Sequence, residues 1–132
     1  MSKIQLGARI VLGLIYFVFG GMGLGMALGF LHMPFPPMPP AAQAFMTGIM
    51  GSGYFLFLLK ITETTCGFLL LTGIAAPLAL VIIAPVTINI LCFHVFLTPG
   101  INELPLPLVM VVAQILAMSG YWKQYQPLFS KK

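Results

Sequence analysis

The chain has 132 residues, 60% of them hydrophobic and only 6% charged. A water-soluble domain carries about a quarter of its residues as charged side chains, and spans of roughly 20 apolar residues each would consume this length in four crossings, leaving no room for a separate soluble domain. The net charge of +4 does not point to nucleic acid: apart from Lys60, the basic residues Lys3, Arg9, Lys123, Lys131 and Lys132 lie at the two chain ends, with no aromatic-interleaved basic patch. The expected fold is all-α, a polytopic membrane protein made as one four-transmembrane-helix bundle over residues 1–132, with spans near 4–31, 54–72, 77–97 and 106–121.

The first span opens with Lys3 and Arg9. Its apolar run is longer than the roughly 7–15 residues of a signal-peptide core, so it is expected to be retained. It ends in a ladder, Gly21, Gly25 and Gly29, with Gly13, Gly20 and Gly23 nearby. Small residues at this spacing let a second helix approach closely; packing inside the bundle is favoured over a dimer interface. Arg9 either snorkels to the membrane surface or points inward toward Glu63.

His32 to Gln43 follows, with five prolines between positions 34 and 40. Proline removes a helical donor and clashes with the preceding turn, so this stretch is a loop, and its lack of Lys and Arg assigns it to the non-cytoplasmic side. Ala41 to Met50 suits a short helix lying on or dipping into the outer interface, broken by Gly51-Ser52-Gly53.

The second span, YFLFLLKITETTCGFLLL from Tyr54 to Leu71, carries Lys60 and Glu63 near its middle. Three residues apart on a helix, they share a face about one turn from each other. An unpaired charge in the hydrocarbon core costs several kcal/mol, so such residues pair or mark a functional path. Lys60 and Glu63 are therefore read as a buried ion pair or the centre of a polar site, whose other candidate members are Arg9, Asn89, His94 and Gln114.

Gly73 and Pro77 bracket a tight hairpin into the third span, where Pro85 should kink the helix and free a carbonyl. Asn89 comes at about the depth of Lys60 and His94 further out; Thr87 and His94, seven apart, nearly share a face. Cys66 and Cys92 differ in depth by about ten residues, or about 15 Å, beyond the roughly 7 Å Cα separation of a disulfide. Thr98 to Pro105 is the second outer loop and holds Glu103. The fourth span carries Gln114 and leaves through Tyr121, Trp122 and Tyr125, read as an interfacial aromatic belt, into a basic tail. Five basic residues on one side and none in the opposite loops make both termini cytoplasmic.

Residues 60–97, KITETTCGFLLLTGIAAPLALVIIAPVTINILCFHVFL, resemble the DoxX family of small four-helix membrane proteins. The resemblance is carried by Lys60, Glu63, Gly67, Gly73, the Pro77-Leu78-Ala79 start, Asn89 and His94, with Ala8-Arg9, Gly13, Phe17 and Gly20 in the first span and Ala44-Phe45-Met46 after the proline loop. It implies a bundle in the bacterial inner membrane and an accessory subunit of quinol- or thiosulfate-oxidising complexes; it supplies no catalytic residues.

The leading expectation is a DoxX-like subunit or lipid/quinone-binding module centred on Lys60 and Glu63, in contact with membrane lipids, redox subunits or a second copy. The alternative is a small dimeric proton-coupled exporter using Glu63. A third reading, an enzyme in its own right, would need a bound cofactor. The cofactor is left unknown, with quinone the one candidate the resemblance implies; the residues themselves supply no redox-cofactor ligand set. No haem, flavin or metal is expected, since His32 and His94 are unpatterned as ligands and no metal-ligand cluster or phosphate loop occurs.

Overall fold

In the computed structural model the described residues are 1–32 and 36–130, all helical or irregular, with no strand among them. Helix α1 runs Lys3–Ala27, α2 Pro40–Gly51, α3 Phe55–Thr72, α4 Ala76–Cys92, α5 Pro105–Ser119 and α6 Trp122–Tyr125. A π-helical turn, Phe93–Leu97, extends α4, and a 3-10 turn, Gln126–Phe129, follows α6.

Local chemistry sets these boundaries. Ser2 and Gln5 form a capping box that satisfies backbone donors at the start of α1. Gly29, at φ +85°, stops α1 in a left-handed turn, with the Phe30 amide donating to the Gly25 carbonyl at 2.8 Å. The first helix thus ends at Ala27, short of the expected Leu31, and Gly29 is its stop signal rather than a rung of a packing ladder. Ser52 joins two helices: its hydroxyl donates to the Ile49 carbonyl at 2.9 Å and accepts from the Phe55 amide at 3.0 Å. Gly73, at φ +81°, caps α3, and Pro77 lies in the first turn of α4. Pro105 opens α5, where its missing N–H costs nothing.

Four long helices pack side by side in a ring: α1 on α3, α3 on α4, α4 on α5 and α5 back on α1. The α1–α3 seam is the closest. Gly13 and Gly20 of α1 and Gly67 of α3 are buried in it, and a Cβ on any of them would collide with the facing helix. Gly21 has nothing within 4 Å of where its Cβ would be, and Gly25 meets only Leu31 of its own segment. The expected close-approach face, Gly21-Gly25-Gly29, is therefore corrected to Gly13 and Gly20: the face of α1 that meets α3 is rotated away from the most regular glycine repeat.

Leu12, Tyr16, Leu70, Leu80 and Ile83 fill the centre of the ring. Cys66 is buried and Cys92 exposed, both as free thiols. Through the core runs a chain of hydrogen bonds. The Tyr16 and Thr87 hydroxyls lie 2.6 Å apart, Thr87 Oγ1 is 2.9 Å from Gln114 Oε1, and Gln114 Nε2 donates to the Leu80 carbonyl at 2.8 Å. Since Gln114 Oε1 only accepts, Thr87 donates to it and Tyr16 donates to Thr87. Thr87→Val strands a partner on each side and should cost about 2 kcal/mol. Tyr16→Phe removes only the first donor and should cost about 1 kcal/mol. Thermal unfolding of the two purified variants checks the order, which an unsupportive network would reverse or flatten.

Outside the ring the surface is apolar, with Leu14, Phe57, Ile82, Ile88, Val112 and Ile115 all exposed. By length and composition three helices can cross a membrane: Lys3–Ala27, Phe55–Thr72, and α4 with its π turn, Ala76–Leu97. A fourth crossing exists if Pro105–Ser119 and Trp122–Phe129, bent by 75°, count as one span. The 15 residues of α5 rise only about 22 Å, short of a roughly 30 Å hydrocarbon core. The chain turns at Gly120-Tyr121, so the expected aromatic belt is divided. Trp122 is exposed, but Tyr125 is buried and donates to the Pro77 carbonyl at 2.7 Å, and Tyr121 is taken up by Arg9.

Candidate functional site

Antiparallel packing of α1 on α3 matches Gly13 with Leu70, Gly20 with Glu63 and Thr64, and Gly23 with Lys60. The absence of a side chain at Gly20 and Gly23 makes room for the acid and for the lysine stem. A Cβ on Gly20 would come within 2.9 Å of Glu63 Cβ, and one on Gly23 would meet Lys60 Cδ. Glu63 is thereby pressed into the ring, with only 5% of its side chain exposed, while Lys60 retains 22%.

Lys60 Nζ stands 3.0 Å from Glu63 Oε2. Among the described residues Lys60 is the one donor at this buried oxygen, and no second group reaches it. A carboxylate oxygen has two lone pairs, so one held by a single ammonium still has room for a further donor.

Glu63 and Lys60 line a partly open cavity of about 220 Å³. Its roof is α2, through Phe45, Met46 and Ile49; its far wall is α4 and the π turn, through Val86, Asn89, Ile90, Phe93 and His94. Phe45 and Phe93 meet with ring centroids 5.5 Å apart, where the roof joins that wall. Apolar walls with a few convergent polar groups are the usual make-up of a small-molecule site. His94 lies at the π turn, and such irregularities recur at functional sites. Its Nδ1 is 2.8 Å from the Ile90 carbonyl. A carbonyl only accepts, so Nδ1 carries a proton, and in the neutral ring Nε2 is left as an acceptor. Nε2 lies 3.9 Å from Glu103 Oε2, an ion pair only if the ring is protonated.

Of the six expected polar-site residues, Lys60, Glu63, Asn89 and His94 share this cavity, and two do not. Arg9 does not reach Glu63: its Nη1 donates to the Tyr121 hydroxyl at 3.0 Å, beside the Gly73 turn. Eleven residues of α1, about three turns or roughly 16 Å, separate its level from that of Gly20, so the length of the side chain cannot close the gap. Gln114 is consumed by Thr87 and the Leu80 carbonyl inside the ring. Tyr16 escapes a reading based on charged groups and amides. The signal available for it was a phenol at mid-span, which has to find a partner away from water. His32 is exposed. Of the proline loop, residues 33–35 lie outside the described residues.

Compared with known proteins, the chain matches no protein-family model, no curated protein and no solved structure.

Proposed function

We propose that this chain is a four-span protein of the bacterial inner membrane, DoxX-like, with both termini cytoplasmic. In this reading it is an accessory or ligand-binding subunit of a quinone-linked redox system, and it holds the head of a lipid-like ligand of the quinone class between α2, α3 and α4. The exposed apolar surface of the ring supports the membrane reading, since soluble monomers rarely leave such large contiguous patches. Met1 and Gln5 lie beside Gly120, which puts the start of α1 next to the end of α5 on the side that carries Lys3, Arg9 and Lys123; basic residues gather on the cytoplasmic face.

One observation carries the ligand reading: Glu63 is nearly fully buried, faces a cavity, and has Lys60 alone as partner for its buried oxygen. A ligand that donates to that oxygen would add a second hydrogen bond to the one ion pair it has. A cavity of about 220 Å³ is smaller than the roughly 300–1,000 Å³ of drug-sized sites. It suits a ring-sized head whose tail runs out along the apolar surface. Asn89 can give or accept a hydrogen bond, Lys60 gives, and neutral His94 accepts at Nε2, so hydroxyl and carbonyl groups would both find partners.

The test is native mass spectrometry from nanodiscs, with titration of a short-chain quinone in both redox states. Glu63→Gln keeps the shape and loses the charge; binding should weaken at least about tenfold, the effect of one charge-assisted hydrogen bond. Unchanged binding with only a lower unfolding temperature would make Glu63 a strut. The same oxygen would also serve a proton-carrying carboxylate in an exporter. Lys60 beside it weighs against that, and pH-driven substrate flux into proteoliposomes would reinstate it.

A further inference from the structure

The end of the ring opposite the Glu63 cavity holds a cation with no acidic side chain beside it among the described residues. Arg9 lies across the turn between α3 and α4. A Cβ built on Gly73 would stand 3.2 Å from Nη1 and 3.4 Å from Cζ and Nη2, so the glycine forms a bed for the flat guanidinium. Nη1 donates to Tyr121, while Nε is buried with no acceptor among the described residues. No acidic side chain can answer it. The whole sequence has two acids; Glu63 is held by Lys60, and Glu103 is across the molecule beside His94. The C-terminal end of α3 supplies only about half a negative charge. Next to Tyr121 is a surface hollow lined by Gln5, Ser119, Trp122 and Lys123, which adds a second cation and several donors.

We infer that this end binds a phosphate group, with Arg9 as the principal ligand and Tyr121 and Lys123 beside it. A guanidinium fork matches phosphate oxygens in pairs. Tyr121, which accepts from Arg9, has its own hydroxyl proton left to donate. The phosphate belongs either to an anionic lipid headgroup or to a soluble phosphate compound. Only the lipid source rests on the membrane reading proposed above, and neither source involves the Glu63 cavity.

The experiment uses the full chain in nanodiscs mixing phosphatidylglycerol with phosphatidylcholine, with retained lipid counted by native mass spectrometry. Wild type should prefer phosphatidylglycerol, and Arg9→Gln should cut that preference about tenfold, with Lys3→Gln changing it far less. A parallel arm compares unfolding temperature in inorganic phosphate and in chloride at equal ionic strength. A rise in wild type that Arg9→Gln abolishes, without lipid preference, keeps the phosphate site and makes its source soluble. If Arg9→Gln does not fold, Arg9→Lys and Tyr121→Phe replace it, each expected to weaken retention while leaving the helical circular dichroism intact. No response in either arm, or equal losses from Lys3→Gln and Arg9→Gln, overturns the inference, because a diffuse basic surface would treat the two positions alike.

Discussion

Gly67→Ala should destabilise the protein by about 2 kcal/mol or more, although alanine is the better helix former by about 1 kcal/mol. The added methyl would stand 2.8 Å from the Gly13 carbonyl oxygen and 2.8 Å from Phe17 Cα, and closer still to the Phe17 amide nitrogen. These are backbone atoms and cannot rotate aside, so the two helices have to separate along their tightest seam. Gly21→Ala is the matched control. Nothing lies within 4 Å of its methyl position, so the gain in helix propensity stands alone, about 0.5–1 kcal/mol in the stabilising direction. Thermal unfolding in detergent should move the two variants in opposite directions. If Gly67→Ala melts at or above wild type, the seam is looser than described.

Lys60→Met should cost about 3 kcal/mol or more, because it leaves Glu63 buried without its counter-ion. The double variant Lys60→Met/Glu63→Leu should recover to within about 1 kcal/mol of wild type, since replacing a buried pair by apolar residues is often neutral. The coupling between the two sites, read from a double-mutant cycle of unfolding free energies, measures how strongly the charges depend on each other. Additive effects would mean that water, and not Lys60, compensates Glu63. The 22% exposure of the lysine against 5% for the acid predicts an asymmetry as well. Glu63→Gln should cost less than Lys60→Met, since a lone lysine can extend to solvent on its long stem.

What could be read from the chain follows the kind of information each feature needs. Hydropathy runs and breakers located the long helices to within a few residues, because Gly73, Pro77 and Pro105 act through their own backbone chemistry; the end of α1 was overshot, since Gly29 was read as part of the glycine repeat and not as a stop. The short helix after the proline loop was legible for the same reason, with Pro40 in its first turn. The spacing of Lys60 and Glu63 implied their contact, since that contact lies within one helix. Rotation about the helix axis was harder. On a helix that is apolar nearly all round, no polar stripe tells which side meets a neighbour, so the regular repeat of Gly21 and Gly25 outweighed the true seam at Gly13 and Gly20. Depth along the chain put Gln114 and Arg9 among the candidates near Glu63, yet depth carries no azimuth and no list of competing partners. Thr87 and Tyr121 claimed them instead. Tyr16 shows the reverse error: a single phenol in a long apolar run was passed over although its hydroxyl had to be satisfied somewhere.

The ring closes through its first and last long helices, and this has a consequence for biosynthesis. As the chain leaves the ribosome, α1, α3 and α4 are all made before α5. With those three packed as in the finished ring, Tyr16 and Thr87 have each other, 2.6 Å apart, and Thr87 can turn its proton to the Ile83 carbonyl at 3.3 Å. A three-helix stage packed as in the finished ring would therefore hold these two hydroxyls satisfied along the face that awaits α5. Gln114 arrives last and brings its own acceptor and donor to Thr87 and Leu80, so docking of the final helix completes this set of bonds and has no earlier arrangement to undo beyond one hydroxyl rotation.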